Sequence, residues 1–355
     1  MALPVKDQLK YWSIAAAAFF ALLWLLSGVM LPFVLGMAVA YFLDPVADWL
    51  EEHGFSRTWA TVTITAVAGL VFTLAALLVV PALVDQAAAL VNVAPKLFSQ
   101  LQAFLTERFP SLIDEGSTLR KSLLAVGDTI QSKGGELVNA IVSSAMNVIN
   151  LALLVVLVPV ITFYLLMDWD RMVSRIDELL PRDHAPVIRQ IAGDIDRTLA
   201  SFIRGQGTVC LILGTFYASA LMLTGLQFGL IVGFIAGLIS FIPYIGALVG
   251  GALALGLAVF QFWGEWWMIG AVGAVFAAGQ VIEGNVLTPK LVGGSVGLHP
   301  VWLIFALSAF GALFGFVGML VAVPVAASIG VVARWGVGQY QDSRLYKGLS
   351  GREED

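Results

Sequence analysis

The chain has 355 residues, of which 59% are hydrophobic and only 12% charged, with a mean hydropathy of +0.91. This balance excludes a soluble fold and predicts an all-α, polytopic integral membrane protein, because the apolar runs are continuous rather than the short alternating segments of a β-barrel. The net charge of −5 argues against nucleic-acid partners, and the single cysteine, Cys210, permits no intrachain disulfide.

The first apolar run, Trp12 to Leu43, is too long for a signal-peptide core and for one ordinary span. Gly28 and Pro32 near its middle predict two short helices in a tight hairpin. A polar connector from Asp44 to Arg57 leads to a third span, Thr58 to Ala82, so residues 1–82 read as N-terminal membrane segments. Charges return in residues 83–147, where Leu97, Leu101, Phe104 and Leu105 recur at helical spacing. An extracytoplasmic cap of amphipathic helices is expected there.

Residues 148–167 form a fourth span, and residues 168–206 then carry six arginines and no lysine. Two amphipathic helices separated by Pro181 and Pro186 are expected in this stretch, facing the cytoplasm by the positive-inside rule. Counting spans from there puts both termini, including the tail 336–355, on the cytoplasmic side.

Residues 207–335 form a C-terminal membrane core in which, from Thr208 to Arg334, Glu265, Glu283 and Lys290 are the only full charges before Arg334 itself. The run Gln227 to Phe262 exceeds one span and is expected to break at "FIPYIGALVGG". There Pro243 removes a backbone donor, Tyr244 stands at the tip, and Gly246 and Gly250 permit irregular backbone. The turn reads as purely structural or as the lining of a cavity, and the residues leave both open. Trp263, Trp266 and Trp267 resemble an interfacial belt ahead of a span that reaches about Leu287. The final run, Pro300 to Ala333, carries Gly311, Gly315 and Gly318 at its centre and predicts a second hairpin. The four-residue spacing of Gly229, Gly233 and Gly237 reads first as close helix packing.

Glu283 is the most informative residue, because a carboxylate in an apolar span is costly. Gln280 lies one turn earlier on the same face, whereas Asn285 and Thr288 join it only if the helix unwinds around Gly284. Such a gathering suits a proton, a cation or a polar substrate. The alternative is that Glu283 simply reaches interfacial water, since Lys290 lies only seven residues on, about 10 Å along a helix. Neither a phosphate-cradling loop nor a nucleophile triad is visible, and His53, His184 and His299 lie far apart. The chain is therefore expected to be no enzyme, with no cofactor and no metal.

Four stretches in order, "FYLLMDWDRM", the "RGQ" ending at Gln206, "FIPYIGALVG" and "EGNVLTPKLVGGSVGLHPVW", resemble the autoinducer-2 exporter (AI-2E) family of permease-like proteins. The resemblance implies about eight membrane segments, a variable extracytoplasmic region after the third, homo-oligomers, and export of small solutes without ATP hydrolysis. Family members are associated with autoinducer-2 export and others with sodium or lithium extrusion in exchange for protons. The motif positions carried over are Pro243, Tyr244 and Gly246, then Glu283, Asn285, Pro289 and Lys290. The expected function is a secondary transporter of the cytoplasmic (inner) membrane that exports a small solute, with the bilayer and a small-molecule or cation substrate as partners. The other expectations are a sodium (lithium)/proton antiporter, a passive oligomeric channel, and a membrane scaffold or regulatory protein that transports nothing.

Overall fold

The computed structural model describes residues 5–74, 77, 81, 148–292 and 297–348, and every regular element among them is helical. The expected amphipathic cap, 83–147, lies outside the described residues. By length and composition, five of the described helices are able to cross a membrane.

The first run divides where Gly28 and Pro32 predict, into α1 (Val5–Leu25) and α2 (Leu31–Glu52), with one 3-10 turn between them. It does not close into a tight hairpin. Leu26 and Met30 flank the turn with negative φ, Gly28 is not left-handed, and Tyr11, Phe19 and Trp24 of α1 remain exposed. The expected connector from Asp44 to Arg57 is mostly helix, since α2 runs to Glu52 with Pro45 inside it. Only residues 53–56 join it to α3 (Arg57–Leu74).

The two amphipathic helices expected in 168–206 are not separate elements. α4 (Val148–Glu178) and α5 (Ala185–Leu223) each continue from an apolar stretch into the arginine-rich stretch, leaving a short loop that holds Pro181. Pro186 sits in the first turn of α5, where its missing N–H leaves no bond unmade. Across the loop, Arg189 donates two parallel hydrogen bonds to Asp177 at 2.6 and 2.7 Å. α2 packs closely on α4: Thr162 donates to the Gly36 carbonyl at 3.1 Å, and a Cβ at Gly36 would fall 2.7 Å from Ile161.

α5 is the axis of the C-terminal core. α6 (Gly229–Ile239) runs back along it, with Gly229 against Leu221, Gly233 against Ala218 and Gly237 against Gly214, so the glycine spacing brings two backbones together. Its 11 residues reach about 16 Å, well short of the roughly 30 Å of a bilayer core, so α6 is a re-entrant arm. The chain turns at Pro243 and Tyr244 and returns as α7 (Ile245–Gln261). At the open end of this hairpin, the Gln261 side chain accepts from Gln227 N–H and donates to the Gly225 carbonyl, both at 2.7 Å.

α8 (Trp266–Ile282) passes without a gap into a π-helical segment, Glu283–Val292. The last long element, α9 (Pro300–Asp342), has 43 residues and would extend about 64 Å if straight. It breaks at Gly315 (φ 59°, ψ −139°), and beyond the break Gly318 meets the Phe310 carbonyl and Gly311 meets Met319. Residues eight apart in a straight helix are about 12 Å apart, so these contacts require the chain to fold back. The expected second hairpin is therefore present. A short α10 (Arg344–Lys347) follows.

Candidate functional site

Tyr217 of α5 is fully buried, with its ring stacked on Phe276 of α8 at 4.7 Å and 10°. Gly279 admits the ring, because a Cβ there would overlap it. One residue on, Gln280 Nε2 lies 3.1 Å from the Tyr217 hydroxyl oxygen and 3.0 Å from Glu283 Oε2, and donates towards both. Glu283 is half-buried, and among the described residues no lysine, arginine or histidine pairs with it.

The register of α8 against α5 gives the position of this group along α5. Tyr217 meets Gly279 and Gln280, while Gly205 meets Leu291 and Val292. Glu283 therefore lies opposite the turn around Leu213, about 12 Å along α5 from Gly205 and about 15 Å from Leu223. That is near the middle of the apolar half of α5 and about 10 Å from the level of Lys290, the same distance that the residue count gives.

The other residues expected around Glu283 do not converge on it. The helix widens into π geometry at Glu283 rather than unwinding, and Asn285 turns back to donate to the Val281 carbonyl at 3.0 Å. Asn285, Thr288, Pro289 and Lys290 are all exposed. Of the expected residues the structure brings together only Glu283 and Gln280, and it adds Tyr217, which the sequence reading does not single out, as a hydrogen-bond neighbour of Gln280. Among the described residues no cluster of His, Cys, Asp or Glu is arranged to hold a metal.

The Pro243–Tyr244 turn forms one wall of a second feature, a cavity of about 480 Å3. Leu307, Ser308, Gly311 and Met319 of the second hairpin form the facing wall. Neither Glu283 nor Gln280 lines it. Gly246 and Gly250 make the first hairpin tight: Gly246 abuts the Ser240 backbone, and a Cβ at Gly250 would lie 2.6 Å from Ala236 Cβ.

A third cluster joins helices at the arginine-rich end. Arg57 donates to Asp44 (3.2 Å), Asp48 (2.8 Å), Glu51 (3.0 Å) and the Leu166 carbonyl (3.0 Å). Arg204 donates to the other Asp44 oxygen at 3.1 Å and to the Tyr41 carbonyl at 2.9 Å, and the Tyr41 hydroxyl donates to Asp196 at 2.8 Å. Asp44 thus bridges α3 and α5 from its place on α2.

Residues 14–335 match the family described as AI-2E family transporter. The chain belongs to this family. It is 30% identical over 332 residues to "Putative permease PerM" of Escherichia coli (strain K12), covering 90% of this chain and 91% of that protein. It is 29% identical over 304 residues to "Putative transport protein YrrI" of Bacillus subtilis (strain 168), covering 86% and 85%. With "Putative transport protein MT0215" of Mycobacterium tuberculosis the identity is 26% over 336 residues, covering 91% and 89%.

Each motif behind the resemblance has a structural counterpart in this AI-2E family chain. The first supplies Trp169, whose ring meets Tyr41 edge-on at 6.0 Å, and the Leu166 carbonyl. The second supplies Arg204, Gly205 and Gln206, which face α2, the π segment and the first hairpin in turn. The third is the hairpin turn, and the fourth is the π segment that Glu283 opens.

Proposed function

We propose that this AI-2E family chain is a secondary transporter of the cytoplasmic (inner) membrane that exports a small solute of the autoinducer-2 type, coupled to protons or a cation. The observation that carries the reading is Glu283, held by Gln280 beside Tyr217 near the middle of the apolar half of α5. A carboxylate in that position, without a basic partner among the described residues, is costly when charged and bare. Taking up a proton or a small cation relieves that cost, and releasing it restores it. The two hairpins of the C-terminal core resemble the broken helices around which secondary transporters bind their cargo. The arginine-rich ends of α4 and α5 support an orientation with both termini in the cytoplasm.

Exchange of sodium or lithium for protons is the second reading, favoured by the same carboxylate, whose oxygens suit a hard cation. Flux of autoinducer-2, sodium and protons in sealed proteoliposomes tests both readings. Glu283→Gln is expected to abolish coupled movement while leaving folded protein in the membrane, and wild-type rates in that variant would defeat the coupling role. Flux that persists without an ion gradient identifies a passive channel, and absence of any solute movement identifies a scaffold.

A further inference from the structure

The tip of the first C-terminal hairpin faces the flank of the second, Leu307, Ser308 and Gly311 of one arm with Met319 of the other, across the cavity of about 480 Å3, a volume within the usual range of small-molecule sites. Its floor is packed: Ile242, just before the first turn, is buried in one apolar cluster with Ala306, Leu307 and Ala322 of the second hairpin. Its open side is marked by Tyr244 and Ser308, both exposed.

The lining decides what fits. Among the described residues no charged side chain lines the cavity, and the polar side chains are the hydroxyls of Ser308 and Tyr244. A cation stripped of water needs a shell of oxygens that these walls lack. A solute carrying many hydroxyls would leave most of them without a partner against Leu307 and Met319. We propose that the cavity between the tip of the first hairpin and the flank of the second binds a neutral amphiphile with a compact apolar body and one or two hydroxyl or carbonyl groups. That this occupant is the exported cargo rests on the transport reading above; the site itself does not.

One wall is a point where the chain reverses, and the other belongs to arms that reverse nearby. Tyr244 is the one non-glycine residue with positive φ among the described residues, at 66°, and Gly315, at 59°, breaks the facing hairpin. Backbone held in such sparsely populated regions persists only where the surroundings enforce it, and it concentrates at ligand clamps and switches. Here the buried bond from Gln206 to the Ser240 carbonyl holds the first tip. An occupant touching both hairpins would bind most tightly at one separation of the two, and so would couple its presence to their spacing.

A diazirine analogue of octanol, neutral and carrying one hydroxyl, tests the site by photolabelling the full chain in proteoliposomes and mapping adducts by peptide mass spectrometry. Adducts are expected to saturate on Tyr244, Leu307, Ser308 and Met319, and to be suppressed by excess octanol but not by sodium chloride. Ser308→Phe, which fills the cavity, should lower labelling by about tenfold, whereas Ser308→Ala, which keeps the volume, should retain it within about threefold. Leu307→Phe serves as a second filling variant if Ser308→Phe fails to reach the membrane.

Unsaturable labelling spread over outward-facing residues such as Trp24 would overturn the proposal, because the probe would then only be dissolved in lipid. So would unchanged labelling in the filled variants, or protection by sodium. Specific labelling in a protein that shows no flux would remove the transport reading and keep the site. Failed labelling beside Glu283-dependent flux would do the reverse.

Discussion

Gln206 donates from its side-chain amide to the Ser240 carbonyl at 2.6 Å, and both residues are buried. Ser240 closes α6, so its carbonyl is one of the acceptors that a helix leaves without an internal partner. The Ser240 hydroxyl does not help, since it donates back to the Ala236 carbonyl at 2.8 Å. One amide on α5 therefore fastens the tip of the re-entrant arm.

Gln206→Leu keeps the bulk but leaves that carbonyl bare in an apolar setting. A loss of about 1–3 kcal/mol is expected. Thermal unfolding of the purified chain in detergent reads it as a lower Tm. Ser240→Ala should cost less than about 1 kcal/mol, since only a bond within its own helix is lost. Equal shifts in the two variants would contradict the assignment.

Two glycines of the same hairpin should respond oppositely to alanine. A Cβ at Gly237 would collide with the Gly214 backbone, which has no room to yield, whereas a Cβ at Gly256 meets nothing within 4 Å. Gly237→Ala is expected to destabilise by at least about 1–3 kcal/mol, and Gly256→Ala to be neutral or to stabilise by up to about 1 kcal/mol. Folded yield and Tm together check the pair.

Arg57 serves three carboxylates and one carbonyl, which only a guanidinium fork can do at once. Arg57→Ala leaves Asp44, Asp48 and Glu51 facing one another and should cost about 1–3 kcal/mol. Arg57→Lys should fall between that variant and the wild type. Because much of the cluster is partly exposed, raising the salt concentration should narrow the gap between Arg57→Ala and wild type; a gap that widens with salt would rule out the electrostatic account.

Tyr217→Phe isolates the polar part of the Glu283 site, because the stack on Phe276 survives and only the hydroxyl beside Gln280 is lost. Tm should change by less than the equivalent of about 1.5 kcal/mol. If Glu283 couples transport, proton-linked flux should drop by about tenfold, the worth of one hydrogen bond. Undiminished flux would make Tyr217 a packing residue.

Run length was enough to foresee most of the membrane architecture. Thirty-odd apolar residues with glycine or proline at the centre marked each break, and at Gly315 the chain folds back where such a residue stood. The exception was Gly28, which lies in the middle of a run yet takes an ordinary helical turn; composition shows where a chain is able to bend, and packing decides whether it does. Asp44 was read as part of a polar connector because it follows an apolar run. In fact its charge is matched by Arg57 and Arg204, and the second lies 160 positions away. A pairing that distant leaves no periodic trace. Glu283 and Gln280 were legible from their one-turn spacing, but Tyr217 sits on another helix, in register with them only after α5 and α8 have packed. Asn285 departs from the expectation for a local reason: its amide donates to the carbonyl four residues back, which holds the side chain along its own helix.

The glycine seam between α5 and α6 also limits how this molecule is able to deform. Where Gly233 and Gly237 bring main chain against main chain, no side-chain layer remains to act as a bearing, so the two helices are unable to slide or roll past each other. They must travel as one block, with α7 tied on through Gln261 at the open end. Movement between this block and the frame of α2 to α4 then strains the contacts that reach α5 from that frame, Asp44 with Arg204, Tyr41 with Asp196 and Asp177 with Arg189, which sit where a latch would.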